Sequence, residues 1–162
     1  MFNRYRLPTV VICLLSFSLL SMAASPADDN SVSGKFTGNG KESKLAFITA
    51  GKGDALGDKP TIQIIMTEKD HSKDKRASMH AAFGDFGSAL IITVFHDGKI
   101  VGCEVAHSAH ERKPFSSIGN IEMSDFKMAD GFISGKIATQ GEVDTFKQKW
   151  DVKLEFKVKV QK

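Results

Sequence analysis

Four of the five histidines, His71, His80, His107 and His110, lie in or beside two polar stretches, while His96 stands apart at a turn. Imidazole ligates transition metals and exchanges protons near neutral pH, so this grouping points first to a metal centre or an acid–base pair. His107-x-x-His110 supplies two candidate ligands at short spacing, with His71 and His80 as further imidazoles and Asp70, Asp74 and Glu111 as nearby carboxylates. Such donors suit Zn or Cu, as Zn(II) or Cu(II), better than a thiolate-seeking ion. The plainer alternative is that these histidines cap, bridge or face water, because no third ligand stands at motif spacing. Cys103 is no partner for His107, since four residues of strand hold the two ~13 Å apart.

Signatures of covalent catalysis are missing from the chain. No Gly-x-Ser-x-Gly occurs, and Ser72-x-x-Lys75 has the skeleton of a serine–lysine element without its companion motifs. Gly51-x-Gly53 lacks the Lys-Ser/Thr that completes a phosphate loop. Three functional readings follow. The first is a non-catalytic binding module acting through a polar loop rim, with a protein or small-molecule partner and no cofactor. The second is a transition-metal binding protein with His107, His110, His71 and His80 as ligands. The third is a hydrolase with a His–carboxylate pair drawn from His71, His107, His110 and Glu111.

A hairpin positions these residues. Ser88 to His107, SALIITVFHDGKIVGCEVAH, reads as two strands around an Asp97-Gly98 turn, since Asp and Gly accept the positive φ that a two-residue loop requires. Setting His96 opposite Lys99 aligns Val94 with Val101, Ile92 with Cys103 and Leu90 with Val105, so one face is continuously apolar. The same register brings Ser88 against His107. The polar stretches on either side, Glu68 to Gly87 and His107 to Ser117, then start from one rim where the four histidines are expected to converge. His96 is excluded, a full strand away at ~3.3 Å per residue. Cys103, opposite Ile92, reads as a buried, inert thiol.

Other strands are read from alternation. Val32 to Phe36 is a short strand, Lys44 to Ala50 sets Leu45 and Phe47 on one face, and Thr61 to Thr67 turns Ile62, Ile64 and Met66 inward. The charged run Glu68 to Arg76 is a solvated loop. Ser72 to Phe83 is either a short helix capped by Ser72, with Met79, Ala82 and Phe83 on one side, or an extended segment. A second hairpin around Asp130-Gly131 directs Phe126, Met128, Ile133 and Ile137 to the core and pairs Asp125 with Lys136. From Lys149 to Gln161, Trp150, Val152, Leu154, Phe156, Val158 and Val160 alternate with polar residues without exception. Seven or so strands and no repeated helical pattern predict an all-β domain. An antiparallel two-sheet β-sandwich, immunoglobulin-like, comes first, with a small up-and-down β-barrel as runner-up.

Composition narrows the setting. Arg4 and Arg6, an apolar run from Val10 to Leu20 and the small residues Ser21-Met22-Ala23 have the order of a cleaved signal peptide over residues 1–23. A flexible leader, 24–31, and a single domain, 32–162, follow. Losing both arginines takes the formal net charge from +3 to about +1, so no cationic surplus argues for nucleic acid or an anionic membrane. No later stretch approaches the ~20 apolar residues of a transmembrane helix. Only Cys103 would remain, which rules out an internal disulfide, and the chain has no Asn-x-Ser/Thr sequon. The expected location is periplasmic or secreted.

Overall fold

Alternation of apolar and polar residues dominates the sequence, and strands dominate the structure. The computed structural model describes residues 30–111 and 113–161. In chain order these form β1 (Ser31–Gly38), β2 (Lys41–Ser43), β3 (Phe47–Lys52), β4 (Thr61–Thr67), α1 (Ala77–Phe83), β5 (Ala89–Phe95), β6 (Ile100–Ala106), β7 (Phe115–Ser116), β8 (Ile121–Ala129), β9 (Phe132–Thr139), β10 (Val143–Thr145) and β11 (Gln148–Lys159). The expected signal peptide and most of the leader lie outside the described residues. Among the described residues no helix is long and apolar enough to cross a membrane.

Two antiparallel sheets result. One has the order β2-β1-β11-β9-β8, with β10 paired to the start of β11, and the other has the order β3-β4-β5-β6-β7. Apart from β1 on β11, hydrogen-bonded neighbours follow one another in sequence, with only the short β10 intervening between β9 and β11. That is the order of an up-and-down meander, not the crossed order of an immunoglobulin sandwich. A single apolar cluster draws on both sheets, joining Phe36, Ile137, Trp150 and Phe156 from the first to Ile64, Met66, Leu90 and Ile92 from the second. Burying each such side chain contributes about 1.5–3 kcal/mol. The second sheet also has a small cluster on its other face, where Ile65, Ala89, Ile91 and Ala106 lie under Ala81 and Ala82 of α1.

Strand β11 is as the alternation predicts: Trp150, Val152, Leu154, Phe156 and Val158 are all buried. Departures occur where turns and bulges set the register. In the central hairpin, Gly98 N–H donates to Phe95 O (2.9 Å) and Phe95 N–H to Lys99 O (3.0 Å), so the loop holds His96, Asp97 and Gly98. Gly98 takes φ 86°, the left-handed position of a three-residue hairpin loop. A bulge then skips Val101, so Val94 faces Ile100, while Ile92 still faces Cys103 and Leu90 still faces Val105. The extra loop residue and the skipped strand residue cancel, which is why the rim end of the hairpin is placed as expected.

The second hairpin turns on Asp130 and Gly131, both at positive φ, as read. A bulge between Ser124 and Lys127 puts Ser124 opposite Lys136. Asp125 still reaches that lysine through an ion pair of 2.8 Å, whereas Met128 is exposed rather than core. Leu45 is buried ahead of β3, so the inward residues of that strand are Ile48 and Ala50, and Phe47 is exposed. Helix α1 begins at Ala77 and not near Ser72. Asp70 and Asp74 accept the backbone N–H groups of Ser72 (2.8 Å) and Arg76 (2.7 Å), folding the charged run into two turns before the helix starts. Gly84 closes it in the left-handed conformation. Met79 and Phe83 are exposed, against the expected packing face, and Ala82 is buried.

Candidate functional site

The hairpin brings the two polar stretches to one end, as its register requires. Ala89 faces Ala106 at the last rung, and Ser108 N–H donates to Ser88 Oγ at 3.0 Å. The charged run leaves from the same place, its Glu68 N–H bonded to Ser88 O at 3.1 Å. The sheet nevertheless separates the histidines. His107 extends the inward parity of Cys103 and Val105 and meets Phe36 edge-on, with ring centres 5.0 Å apart. His71 lies on the outer face, where Thr49 and Phe86 contact it.

Each imidazole has a distinct environment. His71 is buried, with Thr67 Oγ1 2.6 Å from Nδ1 and Thr49 Oγ1 2.8 Å from Nε2. The Thr67 hydroxyl donates to Lys69 O, so its oxygen accepts from His71 Nδ1–H, and Nε2 accepts from Thr49. Burial lowers the His71 pKa and keeps the ring neutral. Both of its nitrogens are thereby engaged. His80, on α1, pairs through Nδ1 with Asp74 Oδ2 at 2.7 Å. The Asp74 carboxyl is held below the ordinary range, chiefly by the Arg76 backbone N–H and then by His80.

His107 and His110 form a pair of their own, ring centres 5.3 Å apart. His107 Nδ1 accepts the Ala109 N–H at 3.0 Å, and His110 Nε2 donates to Lys149 O at 3.0 Å. Burial depresses both pKa values, that of His107 to about 4, where His110 and Lys113 add to the effect and Glu68 opposes it. The pair fits because residue 38 is glycine: a Cβ there would overlap His107 Cγ and lie 2.7 Å from His110 Nε2. His96 is exposed at the opposite end, as expected.

The four predicted ligands therefore divide into His107 with His110 inside the core and His71 with His80 beside Phe86 on the outer face. Among the described residues no three His, Cys, Asp or Glu side chains gather to hold a metal ion. Cys103 is buried and its thiol is pushed up to about 12, chiefly by desolvation, which suppresses the thiolate.

A feature the sequence reading missed lies on that outer face. A cleft of about 740 Å³ opens there, floored by Thr49, Gln63, Ile65 and Glu104 and walled by α1. Met79 (43% exposed) and Phe83 (64% exposed) stand along the wall. The cleft exists because α1 lies over Ile65 and Ile91 but leaves the flanking Thr49, Gly51 and Gln63 half-buried and Glu104 exposed. The signal was present as one glycine, Gly51, and the polar Thr49, Gln63 and Glu104 on the strand faces opposite the core. Compared with family models, curated proteins and solved structures, the chain matches none.

Proposed function

We propose that the protein is a small exported, non-catalytic binding module, a two-sheet sandwich that takes a protein or small-molecule partner in the cleft beneath α1. The observation that carries this reading is the cleft itself. It pairs an exposed apolar wall, Met79 and Phe83, with polar floor groups from a rigid sheet, the mixture that binding sites use to combine burial with orientation. The charged run Glu68 to Arg76 contributes Lys75 and Arg76 to its border. Export, to the periplasm or outside the cell, is supported by the N-terminal Arg4, Arg6, apolar run and small-residue order.

A fragment screen followed by backbone NMR tests the proposal. Binders are expected to shift the amides of Thr49, Gln63, Glu104 and Phe83. Shifts gathered around Ile118 and Phe146, or spread without a focus, would reject it. The metal reading has one supporting observation, the orientation of His110 by the Lys149 carbonyl, which is how metal-bound imidazoles are commonly fixed. Melting with added Zn(II) or Cu(II) tests that reading, because a ligand at a hundred times its Kd adds about 2.7 kcal/mol.

A further inference from the structure

At the end of the core, where both sheets contribute, an imidazole donor and an imidazole acceptor stand side by side. His107 Nδ1 accepts the Ala109 N–H, so the ring proton of the neutral imidazole sits on Nε2. His110 Nε2 gives its proton to Lys149 O, which leaves a lone pair on Nδ1. The remaining atoms, His107 Nε2–H and His110 Nδ1, are buried and have no hydrogen-bond partner among the described residues. Buried polar atoms are almost always paired, with protein or with ordered water. The ring centres are 5.3 Å apart, and one water making two ordinary hydrogen bonds joins nitrogens up to about 6 Å from each other.

We infer that His107 and His110 bind one internal water, which accepts from His107 Nε2–H and donates to His110 Nδ1. A hydrogen-bonded chain then runs from Ala109 N–H through both imidazoles to Lys149 O, with every donor facing an acceptor. It joins the segment that follows β6, in one sheet, to β11 in the other. The two imidazoles thus act as a polar strut between sheets, and Gly38 leaves the room for them. A metal ion in the same place needs two lone pairs, but the Ala109 N–H fixes the His107 lone pair at Nδ1.

The test uses the purified protein at pH 7. Long-range proton–nitrogen NMR reads the tautomers, water–protein cross-relaxation reads the bound water, and a near-atomic crystal structure locates it. Expected are two neutral Nε2–H rings, a cross-peak from long-lived water to the His107 ring N–H, and one water within hydrogen-bond distance of both nitrogens. His110→Phe keeps a ring but removes the acceptor, so that cross-peak should fall at least tenfold. If that variant does not fold, the native protein's tautomers and cross-peak decide alone. The inference is overturned by a His107 proton on Nδ1, by a direct His107–His110 bond with no water between, or by one equivalent of Zn(II) shifting both rings. It is equally overturned if the cross-peak persists at full strength in folded His110→Phe.

Discussion

Acidification from pH 7.5 to 4.5 should weaken the fold, and His107 sets the size of the effect. Its ring is fully buried, and desolvation, with His110 and Lys113 nearby, holds its pKa at about 4 against an ordinary 6.5. An unfolded chain takes this proton near pH 6.5, whereas the folded protein resists until about pH 4. Between those values the unfolded state binds more protons, so unfolding free energy is full above pH 6.5, declines through the window and levels off below it. The separation corresponds to about 3 kcal/mol for His107 alone, a large share of a small domain's stability. His71 and His110, also lowered by burial, act in the same direction. Asp70, Asp74 and Asp125 titrate below 3.8 and fall outside the window. Urea unfolding followed through the single tryptophan, buried Trp150, at several pH values measures the slope. A His107→Gln variant should be less stable at pH 7.5 yet lose less on acidification. A flat native profile between pH 6.5 and 4.5, or an unchanged slope in the variant, would refute the reasoning.

Further substitutions probe other contacts. Gly38→Ala forces a methyl group into both imidazoles and should destabilise by about 1–3 kcal/mol in the same urea assay, with the loss concentrated at the His107 and His110 resonances. Cys103 should resist alkylation at neutral pH in the folded state and react promptly in urea, since its thiol is pushed up to about 12; labelling of the native protein at the unfolded rate would contradict the buried register opposite Ile92. Thr67→Val removes the acceptor for His71 Nδ1–H and should cost about 1–3 kcal/mol by chemical denaturation.

Much of the fold was legible because alternation reports burial directly. Trp150 to Val158 read correctly because that strand has one core face and a slip of one residue would expose all of it, and Ile62, Ile64 and Met66 read correctly as inward although α1 also buries Ile65 on the other face of their strand. Bulges were not legible. Nothing in Val101 or Asp125 announces a skipped rung, and Phe126, beside the second bulge, lies against Gly98 of the central hairpin, a contact that only tertiary structure creates. The rim was legible for the same reason as the hairpin, but the face each loop histidine chose was not. His107 continues strand parity into the core, whereas His71 is drawn outward by two threonine hydroxyls on different strands, a pairing that only tertiary structure creates. The cleft was missed because its floor is defined by what α1 leaves uncovered, and the extent of α1 was set by the Asp70 and Asp74 turns.

The most direct measurement of the account is binding to a protein whose cleft is filled without disturbing the fold. Gly51 permits this: a Cβ added there meets only the Gln161 carbonyl, at 4.0 Å, and the residue borders the cleft. Fragments that bind the native protein are titrated by NMR into Gly51→Trp, alongside urea unfolding of both proteins. The account predicts stability unchanged within about 0.5 kcal/mol and fragment affinity reduced at least tenfold. Unchanged affinity in a stably folded Gly51→Trp would contradict it.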